Sequence, residues 1–498
     1  MSSPNRIYQQ FRQPLDRLAL VSIAILTVAI VALLISGDHT APRVRNFSWQ
    51  QQQVGVDDRG FILTFSRPMN HLSVEENLRI DPSLPGKISW AGRRMAYTLG
   101  EPIPYGQKFE LQLQGARDLL TKPGEIESLS DPFIGKFCSR DRAFVYLGDS
   151  AEEKGQLILY NLTEQRTRIL TPKDLVVMDY KIYPQGDRIL FSATPRTNAA
   201  NTGFNPLLYT VTTGINLHCG DDTSDSNGTA IELEQVLAPD EYQNFSFDLS
   251  QDGQTIIVHR VNLQQPSDSG LWVIQEGKKP QPLNNQPGGD FLIAPDSKSV
   301  AVLQGQGVAM LPLKPNVEPL DFLPKYEMLF DFTRDGTAAA MGTFNRDPQE
   351  PTRSLFLVTN QGVEKELLRT KGSILDAQFD PTNRILYCLI TKLIEGEEYR
   401  EEPLIAALDI SSKKLTPLVL LPNQRNIQIS VSSDGLALLF DQESQTVRSS
   451  EKAEEDESMI NSRLWLLPLD INLLRKETSA QVEPELLPFV GLRPRWLP

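Results

Sequence analysis

Along most of the chain, short apolar runs of β-forming residues alternate with turn residues and polar gaps, and one phrase keeps returning. It stands as YPQGDRILFSA (183 to 193), LSQDGQTIIVHR (249 to 260), IAPDSKSVAVLQ (293 to 304), FTRDGTAAAMGT (332 to 343), FDPTNRILYCLI (379 to 390) and VSSDGLALLFDQ (431 to 442). A degraded copy, CSRDRAFVYLG, occupies 138 to 148. The turn centres fall roughly 40 to 50 residues apart, with one longer gap, which marks a single supersecondary unit repeated seven times. After each turn come an apolar strand, a polar loop, a second strand such as GLWVIQEG or SLFLVTNQG, a tight turn and a short last strand. The phrase before the turn supplies the fourth strand. Seven four-stranded antiparallel sheets are expected to close into a β-propeller over residues 132–498, because closure leaves only short protected edges. Asp-Gly, Asp-Ser or Thr-Asn sits where a tight hairpin needs positive φ, so the repeated aspartates read as turn residues and not as seven active sites.

Two other patterns precede the repeat. Leu18 to Ser36, LALVSIAILTVAIVALLIS, carries no charge and at 1.5 Å per residue would span about 28 Å, so a transmembrane helix over 18–36 is expected. Its length favours an uncleaved anchor over a signal peptide, with cleavage after Gly37 as the alternative. Arg6, Arg12 and Arg17 on the short side favour a cytoplasmic N-terminal tail, residues 1–17, with the bulk of the chain periplasmic or extracellular. Between 37 and 131, period-two runs punctuated by Pro and Gly every ten or so residues describe a small antiparallel sandwich. The fold class expected is therefore all-β, with an N-terminal transmembrane helix, a sandwich and a seven-bladed propeller.

The order of phrases in the sandwich, TFSRPM, then LPGKISW, then a YTLGEPIPYGQKFELQLQGARD ending, resembles the bacterial Ig-like domains of surface-layer and envelope proteins. That resemblance implies a spacer or adhesive module without catalytic residues. The repeat phrase resembles TolB-type periplasmic propellers and the propeller portions of prolyl oligopeptidase relatives, over residues 133 to 498. In the first family the propeller is a protein-binding hub at the cell envelope. The second would imply a hydrolase domain with a G-x-S-x-G elbow, and no such elbow occurs in the chain.

Composition narrows the chemistry. With 63 acidic and 49 basic side chains the formal charge is −14, which argues against a nucleic-acid partner. Loops between a blade's second and third strands carry GDSAEEKG, IEGEEYREE (394 to 402) and SSEKAEEDES (449 to 458), whereas TEQRTR, EGKK and SSKK fall on the opposite face, so a disc acidic on one side and mildly basic on the other is expected. The chain should reach the first blade from the acidic side. Cys138, Cys219 and Cys388 have no zinc or disulfide-framework spacing and read as small core hydrophobes, although one pair could form. Four histidines, His39, His71, His218 and His259, lack zinc-hydrolase spacing. No cofactor is expected.

One segment carries a metal-binding pattern. From Thr223 to Glu234, in the long connection between blades two and three, Asp225, Asn227, Gly228 and Glu234 fall at the third, fifth, sixth and twelfth places of a calcium loop, where alternate oxygens can wrap a hard cation. The first place is Thr instead of Asp and no helices flank it, so a polar insertion is the competing reading. Asp248, Asp331, Asp376 and Asp380 lie on or beside the expected inner strands, where acidic residues bond to neighbouring blades more often than they catalyse. The reading is a membrane-anchored binding or scaffold protein of the cell envelope, with an envelope protein or cell-wall component as partner. The alternative is a propeller hydrolase or lectin-like protein acting on cell-wall polysaccharide or peptide.

Overall fold

A computed structural model describes residues 14–36, 41–119, 132–196, 206–215, 219, 230–237, 241–283, 289–305, 307–313, 321–347, 349, 351–394, 400–446, 459–469 and 483–498. The chain divides into two compact units. The first comprises Met1–Gln50, Gly60–Thr98 and Glu110–Gly135, and the second Gln51–Arg59, Leu99–Phe109 and Lys136–Pro498.

The expected transmembrane helix is not supported. The apolar run does form a helix, α1 (Pro14–Ser36), yet among the described residues no helix is long and apolar enough to cross a membrane.

In the first unit one antiparallel sheet takes the order Val44–Phe47, Gly60–Phe65, Arg94–Leu99, Gly86–Ala91. In a second sheet Leu78–Asp81 pairs antiparallel with residues 110–113, and α2 (His71–Asn77), capped by the Asn70 side chain on the Ser73 amide, precedes it with Val74 buried. Phe61, Leu63, Phe65, Met95, Leu111 and Leu113 form a sealed core. Trp90 is only half-buried and stacks between Phe65 and His71.

The second unit is a ring of seven blades. Blades two to six are four-stranded sheets, in each of which the strands pair in chain order from an inner strand outward. Their inner strands are Leu175–Ile182, Tyr242–Leu249, Phe291–Ile293, Met328–Phe332 and Ile374–Phe379. The seventh starts with Ile429–Val431. Blades one and seven share one sheet through the long strand Glu485–Trp496, whose first part pairs with the third strand of blade seven and whose last part pairs with Ala143–Gly148 of blade one. That strand closes the ring. Phe133–Ser139, which in sequence stands where the first blade's inner strand should be, instead pairs in parallel through Cys138 and Ser139 with Gln53 and Val54.

The middle strands show why the repeat reads as apolar runs rather than strict alternation. In Ile385–Ile394, Ile385, Tyr387 and Leu389 pack toward blade seven while Leu386, Cys388 and Ile390 pack toward blade five. A strand buried on both faces needs apolar residues at every position. Seven apolar clusters result, one at each junction between neighbouring blades, the one between blades seven and one included. The hairpin turns take the expected geometry. Gly186, Gly253, Gly336 and Gly435 have φ of 72, 70, 68 and 71°, and Ser297 and Asn383 adopt 56° at the same place. Their aspartates fold back on the turn: Asp252 accepts the Gln254 amide at 3.0 Å, and Asp380 accepts those of Arg384 and Ile385 at 2.7 Å each.

Candidate functional site: the central channel and its hairpin-face mouth

The inner strands line a central channel, and one register position on them carries most of its polar chemistry. Asp248 of blade three accepts the Ile293 amide of blade four at 2.8 Å and holds Lys181 of blade two at 2.8 Å. Asp331 of blade five accepts the Phe379 amide of blade six at 2.9 Å. Gln378 of blade six accepts the Val431 amide of blade seven and donates to the Ile429 carbonyl. Ser430 of blade seven accepts the Trp496 amide of the closing strand at 3.2 Å, and one layer further out Asp441 accepts the Arg493 amide at 2.8 Å. The Tyr180 hydroxyl of blade two lies 2.8 Å from the Val145 carbonyl and 2.5 Å from that of Arg493. A belt of side-chain to main-chain bonds therefore runs from blade to blade. Its one break among the described residues comes at Leu292 of blade four, which has no polar atom to offer blade five.

Burial sets the titration of these groups. Desolvation raises the Asp331 carboxyl to about 7, against the opposing pull of the Phe379 and Phe332 amides and with a further push from Asp376. Burial likewise raises Asp441 to about 6 and pushes Asp376 up. Asp331 can thus give or take a proton near neutral pH. Its two oxygens already accept the Phe332 and Phe379 amides, however, so its first role is to tie blades together.

At the face formed by the hairpin turns the channel opens into a cavity of about 480 Å³ lined by Asp248, Asp331, Asp380, Ser432 and Pro498. A strap drawn from Gln51–Arg59 runs over this mouth. Its Val54 carbonyl accepts the Arg140 amide at 2.9 Å, Gly55 lies against the Arg140 side chain, and Asp57 forms an ion pair with Arg334 in the hairpin of blade five. Behind the strap, Cys138 is joined to Cys219 by a disulfide, and the Cys219 amide donates to the Gln51 carbonyl at 3.0 Å. Two of the three cysteines are therefore not core hydrophobes. Cys388 is one, buried between blades five and six.

Several candidates from sequence fall elsewhere. Asp225 and Asn227 lie outside the described residues, and Glu234 sits on the exposed outer strand of blade two opposite Thr210. The long polar connection runs between the third and fourth strands of blade two, not between blades two and three. Among the described residues no cluster of His, Cys, Asp and Glu could hold a metal ion. Residues 149–156 connect second and third strands, whereas 162–165, 276–279 and 411–414 connect third and fourth; of the other two acidic runs, residues 395–399 and 449–458 lie outside the described set. The chain reaches blade one from the hairpin face, because Ala143–Gly148 is a second strand and the closing strand takes the inner place. Sequence reasoning missed the strap, the disulfide and the closing strand.

No family model and no curated protein matches the chain. Solved structures similar to it include TolB from Acinetobacter baumannii, with 12% identity over 85% of this chain and 83% of that one at a TM-score of 0.39. Oligogalacturonate lyase from Vibrio parahaemolyticus is similar at 10% identity over 60% and 86%, TM-score 0.40. The β-propeller domain of the Trilobed protease from Pyrococcus furiosus is similar at 14% identity over 60% and 84%, TM-score 0.39. At these scores the likeness carries no argument about activity or partner. The propeller rests on the strand order and the seven junctions.

Proposed function

We propose that the chain is a binding and scaffold protein of the cell envelope, working outside the cytoplasm, with the propeller as its protein-interaction platform and the first unit as an Ig-like spacer. The observation that carries this reading is the Cys138–Cys219 disulfide, whose two residues hold the strap's backbone at Gln53 and Gln51. Structural disulfides form and persist in oxidising compartments and are rare in the cytosol. The belt of inter-blade bonds supports the same reading, since it spends the channel carboxylates on rigidity and leaves loops on both faces to make contacts.

The test has two parts. Alkylation of thiols in unbroken cells, followed by reduction and a second label, reads the state of each cysteine. Cys138 and Cys219 should be protected until reduction; reactive thiols at both positions would contradict the assignment outside the cytoplasm. Cross-linking in native envelopes should then recover a protein partner whose yield falls when the hairpin-face turns are altered. Recovery of glycan instead would favour the lectin-like alternative.

A further inference from the structure

The loop from Ser66 to Asn70 crosses one end of the first unit and gathers arginines there. The Ser66 hydroxyl accepts the Arg43 amide at 3.0 Å, its amide donates to the Arg43 carbonyl at 2.9 Å, and its carbonyl accepts a bond from the Arg93 guanidinium at 3.3 Å. Arg45 lies on the strand that Arg43 precedes, and Arg94 pairs with Thr64 just before the loop. At the far end of the loop the Asn70 amide donates to the Arg117 carbonyl at 2.9 Å, and the Leu119 amide to the Pro68 carbonyl at 3.1 Å. Arg43, Arg45, Arg93, Arg94 and Arg117 are all exposed, and none forms an ion pair among the described residues. The acidic groups nearby are fewer. Asp118 is buried and taken by Arg67 at 3.4 Å, Glu75 accepts the Trp90 indole N–H, and Glu76 is exposed. Two leucines stand out of the same end: Leu119 is 61% exposed, and Leu72, beside the Ser73 hydroxyl that accepts the Arg117 amide, is 69% exposed. In a chain of net charge −14 this end is a local inversion.

We infer that this end of the first unit adheres to the surface of an anionic bilayer, with the arginines on the lipid phosphates and Leu72 and Leu119 in the headgroup layer. A guanidinium presents paired donors that match phosphate oxygens, and each basic side chain near an anionic lipid surface is worth about fivefold in partitioning. The leucines decide between polyanions. A soluble polyphosphate or a nucleic acid would engage the arginines and leave both leucines in water, whereas a bilayer surface takes the charges and the apolar side chains together. The placement agrees. Arg43 and Arg45 belong to one sheet and Arg117 follows the strand Lys108–Leu113 of the other, so the charges are spread across the end of the unit and match a plane of phosphates better than a single one. The adhesion is peripheral and asks nothing of α1. It lies in the first unit and is independent of the propeller reading.

Co-sedimentation of the full chain with vesicles of phosphatidylcholine alone, and of phosphatidylcholine mixed with phosphatidylglycerol, tests it. Adsorption through the apolar α1 is common to both vesicles, so the difference between them is the readout. Partitioning onto the mixed vesicles should be at least about tenfold stronger, and the preference should shrink as salt rises. Arg93→Glu combined with Arg94→Glu should reduce that preference at least about tenfold. Leu72→Ser combined with Leu119→Ser should weaken binding to the mixed vesicles severalfold. All four positions are exposed, so both variants keep the fold. Equal partitioning onto the two vesicles, or a preference that the arginine variant leaves unchanged, would overturn the inference. A preference that responds to the arginine variant and not to the leucine variant would overturn the lipid assignment in favour of a soluble polyanion. Failure here would leave the disulfide test of the propeller's compartment untouched.

Discussion

Two junctions of the ring invert the usual link between chain continuity and strength. Between blades four and five the chain runs straight on, and Ala301, Val308, Tyr326, Ala339, Met341 and Val358 are buried there with Phe332 and Phe356 packed against them, yet among the described residues no inner-strand bond crosses, because Leu292 occupies the belt position. Between blades seven and one the chain is far from continuous. There Phe144, Tyr146, Ile158, Leu439, Leu464 and Trp496 interlock, the shared strand pairs on both sides, and Ser430 and Asp441 each accept an amide of the closing strand. Arg142 adds an ion pair to Asp434 at 3.1 Å and lies over the Trp496 ring. At the junction of blades seven and one, aromatic bulk and polar bonds stand where covalent connection is missing. Among the described residues, the junction of blades four and five alone lacks a bond from an inner-strand side chain.

The largest expected effect comes from removing the closing strand. A chain ending at residue 490 would leave blade one without its inner strand and expose the apolar face at its seam, so cooperative unfolding should be lost or the midpoint should fall by an amount equal to about 5 kcal/mol or more. A smaller change sharpens the same contrast. Trp496→Ala should cost about 3 to 5 kcal/mol by chemical denaturation, against about 1 to 2 kcal/mol for Val358→Ala at the weak junction. Equal costs would remove the asymmetry.

Asp331 offers a test through pH. Its folded-state value, about 7, lies above the ordinary 3.8, so the fold favours the protonated acid. The stability associated with this group is full below about pH 4, falls as pH rises toward 7, and levels off above it, a change on the order of 4 kcal/mol. Asp441, raised to about 6, works in the same direction over a narrower window. Denaturation of Asp331→Asn across that range should show a flatter profile than the parent, offset by the loss of one of the two accepted amides. An unchanged slope would mean that Asp331 is not desolvated in the ring. The smallest expected effect belongs to Arg334→Met. Its ion pair with Asp57 is partly exposed, so the loss should stay below about 1 kcal/mol, while the strap's release should show as faster proteolysis within Gln51–Arg59.

The contrast also explains what the sequence could disclose. The hairpins were legible because Asp252–Gly253, Asp335–Gly336 and Asp434–Gly435 declare a local backbone need, and the middle strands were legible because both of their faces are buried. The carboxylates of Asp248 and Asp331 also follow the expectation that such groups bond to the next blade. What stayed hidden was non-local. Nothing in the text near Phe133–Ser139 says that residues 491–496 will take the inner place in blade one, nor that Cys138 will meet Cys219 across 81 residues. The apolar text of Leu18 to Ser36 shows the opposite error, since composition alone suggested a span that the described helix does not support.

Native-state hydrogen exchange on the full chain tests the central claim most directly. Inner-strand amides that the belt engages, those of Ile293, Phe379, Val431 and Trp496, should be protected to nearly the global unfolding free energy, and opening should begin between blades four and five, with exchange about tenfold or more faster in Met328–Phe332 than in residues 491–496. Exchange that begins in the closing strand while the junction of blades four and five stays protected would contradict the account.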